Sequence, residues 1–241
     1  MPRILVINPV ATNKWDDLTH RFLVEHASPG TEVVVRSLRE GPESIESEYD
    51  RDLAAHLVVG EVVRAEKEGF DAVVINCFDD PGLHAARERV RILVLGIGET
   101  SITTALLLGH RIAIISTGRN ARALYHKKAL ELGILDRVAY TSGIELGVLE
   151  MRENLELLKN QVLAEARKAI EEYGAEVIVL GCGGFIGLTR ELEEALGVPV
   201  VDPTLTTFKV AEALASIGLR HSKAFLYNPP EHKIREWEEH G

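Results

Sequence analysis

The sequence predicts an α/β protein made of two similar parallel-sheet halves, and three observations carry that reading. Short β-branched runs alternate with stretches of helical periodicity, the pattern of a parallel sheet covered by helices on both faces. The alternation starts afresh near the middle of the 241 residues. Finally, DAVVINCFDDPGL (71–83) and EVIVLGCGGFIGL (176–188) align without a gap. The differences Gly174 − Gly69, Cys182 − Cys77, Gly187 − Gly82 and Leu188 − Leu83 all equal 105, and the two stretches hold both cysteines of the chain.

In the first half, residues 3–8 (RILVIN) form a β-branched strand stopped by Pro9. Residues 10–16 read as a loop. Helical spacing through Leu18 and Phe22 is interrupted by Pro29 and Gly30, and 32–36 (EVVVR) is a second strand. The acidic run 41–50 reads as a loop. From Arg51 onward Leu53, Leu57, Val58, Val62 and Ala65 mark one face of a helix that Gly69 stops. The first cysteine strand comes next, then a helix after Gly82 reaching Arg89 and a strand at 92–95. Thr100 or Ser101 is the expected cap of a helix that Gly109 ends.

The second half repeats this order. Residues 111–116 (RIAIIS) are a strand closed by Thr117-Gly118, and 121–132 are a helix ended by Gly133. A weaker strand is expected at 138–141. Leu155, Leu158, Val162, Ala166 and Ile170 line one face of a long helix stopped by Gly174, just ahead of the second cysteine strand. A strand at 198–201 and a helix to about residue 217 complete the copy. Beyond it come an apolar piece (224–227), Asn228-Pro229-Pro230 and a charged, helix-like end.

Composition narrows the partners. Lys+Arg 27 against Asp+Glu 37 gives a net charge of −10, which argues against nucleic acid and anionic membranes, both of which call for basic patches. A small-molecule substrate is the expected partner. The opening MPRILVINPVATN turns polar too early for a signal segment, and no run reaches the roughly 18 apolar residues of a membrane span. A soluble, cytoplasmic protein is expected. Two cysteines without a CxxC, and nine histidines scattered away from them, predict neither a disulfide framework nor a metal site. GCGGFIG lacks the third glycine of a dinucleotide loop, since Ile186 stands there, and there is no P-loop.

Parallel α/β sheets bind ligands beyond the carboxyl ends of their strands, where Cys77 and Cys182 are both expected. A lone cysteine ending an apolar strand is structural more often than catalytic. The pairing at matched repeat positions reverses that preference. Two thiols facing one carbon from opposite sides can remove a proton on one face and return it on the other, which inverts a stereocentre. Such a site must favour the thiolate, because at a pKa of roughly 8.5 little of a free thiol is ionised at neutral pH. Each cysteine is expected to lead into a helix whose amino-terminal amides stabilise the anion. Asp79 and Asp80 oppose this at Cys77, so unequal thiols are expected, with Cys182 the more acidic. The amides of Gly183, Gly184 and Phe185, and of Phe78 and Asp79, are candidate donors to a developing enolate.

The motifs INP, DAVVINCFDDPGL, GIGET, IISTGR, VLGCGGFIGL and VPVVDPTL, in that order, resemble the aspartate/glutamate/hydantoin racemase superfamily, and within it the hydantoin and allantoin racemase branch. The resemblance covers nearly the whole chain. It implies a cofactor-independent racemase of 5-substituted hydantoins or allantoin, with Cys77 and Cys182 as the acid/base pair in a cleft between two flavodoxin-like halves. The first half would comprise 1–98 with 206–241, because the last helices cross back, and the second 99–205. Substrate contacts carried over by position are Asn8, Phe78, Asp79, Ser116, Thr117, Gly183 and Gly184. A homo-oligomer is also expected.

The sequence departs from the branch at Val10-Ala11-Thr12, where Asn-Thr-Ser is usual, and at Pro203, where glycine is common; both are expected at the rim of the cleft. Related readings are a racemase of free aspartate or glutamate, a cysteine-dependent dicarboxylate isomerase and, less well supported, a decarboxylase, which needs one thiol only. A non-catalytic small-molecule binding protein is the reading from another class, and the matched cysteines argue against it.

Overall fold

A computed structural model describes residues 1–230. The chain divides into two compact units, Met1–Gly96 with the chain from Thr207 onward, and Ile97–Thr206.

The first unit is a parallel four-stranded sheet in the order β2-β1-β3-β4, formed by β1 (Arg3–Asn8), β2 (Glu32–Ser37), β3 (Ala72–Ile75) and β4 (Leu93–Gly96). This is the strand order of a doubly wound sheet. The helices α1 (Asp16–His26), α2 (Glu48–Lys67) and α3 (Leu83–Arg89) connect the strands in turn. Leu5, Ile7, Val73, Ile75 and Val94 lie in one cluster with Ala54, Val58, Val62 and Ala65 of α2 and Leu83 and Ala86 of α3. The alternate residues Ile4, Val6, Ala72 and Val74 are just as buried on the other face. A sheet buried on both sides explains why its strands read as unbroken apolar runs instead of alternating ones.

The second unit repeats the topology as β6-β5-β7-β8, with β5 (Ile112–Thr117), β6 (Val138–Ile144), β7 (Val177–Leu180) and β8 (Val200–Val201), again all parallel. Its helices are α4 (Ile97–Ala105), α5 (Ala121–Glu131), α6 (Leu155–Tyr173) and α7 (Thr189–Leu196). Gly174 ends α6 at φ 68°, the left-handed position that suits glycine. The last helix, α8 (Pro203–Ser216), begins in the second unit and continues into the first. There Ser28 donates from its amide and its hydroxyl to Glu212, 2.8 Å each, and Lys209 also pairs with Glu212. Further on, the Val94 amide meets His221 Nε2 at 2.9 Å and Arg87 donates to the Tyr227 hydroxyl at 3.1 Å.

Several local expectations are corrected. The loop expected over 41–50 ends at Ser47, which caps α2 by accepting from the Asp50 amide at 3.2 Å and donating to its carboxylate. Thr100 and Ser101 cap nothing. α4 begins directly at Ile97, and the Ser101 hydroxyl donates back to the Ile97 carbonyl inside the helix. β6 runs three residues further than expected, and β8 has only two residues. The apolar piece 224–227 holds no regular structure, and Phe225 is 90% exposed. The charged end from residue 231 lies outside the described residues. Among the described residues no helix is long and apolar enough to cross a membrane.

Candidate active site

In the first unit, register places Ser37, Asn8 and Asn76 together at the carboxyl edge of the sheet. Asn8 pairs with Ser37, and Ile7 with Ile75 just before Asn76. A chain of side-chain hydrogen bonds joins them. Asn76 Nδ2 donates to Asn8 Oδ1 at 2.7 Å, Asn8 Nδ2 donates to Asp16 Oδ1 at 2.6 Å, and Ser37 Oγ donates to the same oxygen at 2.7 Å. Cys77, half-buried, is the next residue after this network.

In the second unit the corresponding edge carries Ser116, Gly181 and Cys182. Ser116 is 1% exposed, and its hydroxyl donates to the Gly181 carbonyl, beside Tyr125. Gly181 has no room for a side chain, since a Cβ there would stand 2.6 Å from the Ser116 Cβ. Where the first unit anchors its thiol loop through amide side chains, the second does so by close backbone approach.

The two thiol loops share one backbone frame. The Asn76 amide donates to the Ile7 carbonyl at 2.8 Å, and the Gly181 amide to the Ile115 carbonyl at 2.7 Å. Asp80 N–H to Cys77 O (3.0 Å) is matched by Phe185 N–H to Cys182 O (3.2 Å), and Leu83 N–H to Asp80 O by Leu188 N–H to Phe185 O, both 3.2 Å. Gly82 and Gly187 close the loops at φ 71° and 81°. Gly82 is doubly required, because a Cβ would also meet the Ala55 carbonyl oxygen at 2.5 Å.

Neither thiol sits on the first turn of an α-helix, contrary to expectation. α3 starts at Leu83 and α7 at Thr189, both well past their cysteines. Cys182 instead heads a single 3-10 turn, Gly183–Phe185, and its Sγ accepts from the Gly184 amide at 3.4 Å. A local amide, not a helix terminus, is thus the backbone donor on this sulfur. At Cys77 the two acids have partners of their own. Asp80, left-handed at φ 53°, packs its carboxylate against Gly96, where no Cβ fits. Burial pushes the Arg51 guanidinium down, but Asp52, Glu48 and Asp79 more than offset it. Asp79 therefore faces a cation on α2.

Of the residues carried over as substrate contacts, Asp79, Thr117, Gly183 and Gly184 are half-buried. Three are more enclosed. Asn8 is 3% exposed with both ends of its amide engaged, the Phe78 side chain is 2% exposed, and the Ser116 hydroxyl donates to Gly181. The departures from the branch differ in burial, Ala11 and Thr12 being half-buried. Val10 belongs to the core cluster of the first unit, and Pro203 is the buried first residue of α8, where a missing N–H costs nothing.

Three further residues hold the Cys182 loop, and none is among the site residues expected from the sequence. Asp202, 4% exposed, accepts from the Leu205 amide at 2.9 Å as the cap of α8 and from the Gly187 amide at 3.1 Å. Met151 is fully buried and packs where a Gly184 Cβ would point. Arg152 Nη1 donates to the carbonyls of Gly184 and Ile186 at 3.2 and 3.1 Å, and burial pushes its guanidinium pKa down. The Asp-Pro pair before a helical run was a readable cap signal for Asp202. Met151 and Arg152 reach the loop from the segment between β6 and α6 and carry no local pattern. Among the described residues no group of three or more His, Cys, Asp or Glu side chains is placed to hold a metal ion.

Residues 4–211 match the family model described as Asp/Glu/Hydantoin racemase. A hydantoin racemase of Paenarthrobacter aurescens is 35% identical over 232 residues, covering 96% of this chain and 98% of that protein. One of Pseudomonas sp. (strain NS671) is 36% identical over 231 residues, covering 96% and 93%. Among solved structures, allantoin racemase from Klebsiella pneumoniae superposes with a TM-score of 0.91 at 32% identity, over 98% of this chain and 96% of that one. Sheet order, duplicated thiol loops and full-length similarity agree, and the chain belongs to the Asp/Glu/hydantoin racemase family.

Proposed function

We propose that this isomerase racemises 5-substituted hydantoins or allantoin, without a cofactor, by proton exchange between the ring stereocentre and the thiols of Cys77 and Cys182. The observation that carries this reading is the shared frame of the two loops. Three pairs of equivalent backbone hydrogen bonds hold each thiol at the carboxyl edge of its own sheet. The similarity to proteins named hydantoin racemase and allantoin racemase supports the substrate class.

In the proposed reaction one thiolate takes the proton from the asymmetric carbon, and the electron pair of that C–H bond moves into the adjacent carbonyl as an enolate. The opposite thiol then delivers its proton to the other face and is left as the thiolate, so the thiols exchange protonation states and no net oxidation occurs. The Gly184 amide at Cys182 favours the anion there. The amide of Gly183, at the head of the turn, is the donor we assign to the enolate oxygen, and the absence of a side chain at 183 lets the ring come close. Asp79 and Thr117 are the side chains assigned to the substrate's polar groups.

The test is loss of optical rotation from single enantiomers of allantoin and of 5-alkyl and 5-aryl hydantoins in heavy water, for wild type, Cys77→Ser and Cys182→Ser. Racemisation with deuterium entering at the asymmetric carbon, lost in both variants, is the expected result. A single-thiol variant that still racemises at the wild-type rate would overturn the two-thiol mechanism. Inertness toward every hydantoin, with turnover of aspartate or glutamate, would overturn the substrate class.

A further inference from the structure

Around Cys182 the structure holds a cation that the proposed chemistry has not used. Arg152 is half-buried, and it donates to two backbone carbonyls, those of Gly184 and Ile186, both in the loop that carries the thiol. Among the described residues no carboxylate pairs with it, and burial alone acts on its ionisation. A guanidinium withdrawn partly from water without a counter-ion is costly unless its charge acts on something nearby. Charged and titratable groups bonded to this loop include Arg152 from the segment before α6, Asp202 at the start of α8, and Tyr125 of α5 behind Gly181.

The bonding pattern shows what Arg152 acts on. The Gly184 carbonyl belongs to the same peptide unit as the Phe185 amide, which donates to the Cys182 carbonyl at 3.2 Å. The Ile186 carbonyl belongs to the same unit as the Gly187 amide, which donates to Asp202. A cation on each carbonyl polarises the amide at the other end of its plane and strengthens the bond that amide makes. The turn that presents the Gly184 amide to Sγ is thereby held from behind. The equivalent loop at Cys77 has the same backbone bonds but is anchored by the Asn76–Asn8 pair instead.

We propose that Arg152 is a positioning residue for Cys182, its guanidinium clamping the Gly183–Gly187 loop and supplying the positive charge that favours the thiolate at this cysteine and not at Cys77. The proposal deepens the racemase reading above, but its test needs no turnover. Wild type, Arg152→Lys and Arg152→Gln are alkylated with iodoacetamide across pH 5 to 10 without substrate, and the rate at each cysteine is read by peptide mass spectrometry.

In Arg152→Gln the midpoint for Cys182 rises by about one pH unit, the low end of the effect of a nearby opposite charge. Cys77 in the same molecules keeps its wild-type midpoint. Arg152→Lys, which keeps the charge, stays closer to wild type than to Gln. An unchanged Cys182 midpoint in Arg152→Gln overturns the proposal, as does an equal rise at both cysteines, which would report general loosening. A chain that racemises nothing leaves this result intact, so the two readings fail separately.

Discussion

Arg152 and Asp202 hold opposite ends of one peptide unit: Arg152 donates to the Ile186 carbonyl at 3.1 Å, and the amide of that unit, on Gly187, donates to Asp202 at 3.1 Å. Cation and carboxylate act on each other through the peptide plane without touching. Because Asp202 also caps α8 through the Leu205 amide, one carboxylate ties the thiol loop to a helix start.

Removing that carboxylate acts on both bonds. Asp202→Ala is expected to lower unfolding free energy by about 1–2 kcal/mol, a lost cap plus a weakened loop bond. Asp202→Asn keeps an acceptor and should lose less than about 1 kcal/mol. Urea unfolding of both variants checks this, and equal losses would show that the carboxylate does not serve both amides.

Asn8 and Asn76 form a coupled pair under Cys77. Asn8→Ala leaves Asp16 and Asn76 short of a partner inside a part-buried network and should cost about 2 kcal/mol. With Asn76→Ala and the double variant, the cycle should show a coupling of roughly 0.5–1.5 kcal/mol. Additive losses would mean that the hydrogen bond between them contributes little.

Gly181→Ala tests the close approach in the other unit. A Cβ there meets the Ser116 Cβ at 2.6 Å, so strand β5 or the Cys182 loop must shift. Racemisation should fall by at least about tenfold, since displacements near 1 Å can cost a factor of 100. Adding Ser116→Gly removes the obstructing carbon and should restore part of the activity, although it also removes the Ser116–Gly181 hydrogen bond. No recovery in the double variant would count against steric displacement as the cause.

Acid should loosen the contact of α8 with the first unit. Burial pushes the Glu212 carboxyl up, but hydrogen bonds from Lys209, Thr31 and Ser28 outweigh it and hold the pKa at about 2 against an ordinary 4.5. Between those values the unfolded chain binds more protons than the folded one, so stability rises with pH there. The contribution is fully present above pH 4.5 and is lost as pH falls toward 2, on the order of 3 kcal/mol. Glu212→Gln should flatten this part of the stability profile, measured by urea unfolding from pH 5 to pH 2.5; an unaltered slope would remove Glu212 as its source.

Much of this was legible in the sequence, and where it failed the reasons are physical. Apolar runs such as RILVIN and EVIVL declare buried parallel strands because both faces are covered, and the constant offset between the cysteine stretches returns as equivalent backbone bonds. The start of α2 is legible too, since Ser47 and Asp50 have the spacing of a capping pair, but it lies inside an acidic run whose composition reads as a loop. Val10 looked like a rim residue because it follows the INP motif, but its apolar side chain belongs to the core. Arg152 could not be found this way. It lies 30 residues from Cys182 in sequence (182 − 152), and nothing local marks an arginine that meets only backbone carbonyls.

The path of α8 bears on the order in which the protein is completed during synthesis. Domains generally fold amino-terminal first as they emerge. Here the second unit is one uninterrupted segment, whereas the first also includes the chain from Thr207 onward, with Glu212 joined to Ser28 and His221 to Val94. The unit translated first is thus the one finished last. Its closing helix leaves the ribosome only after the whole of the second unit has been made.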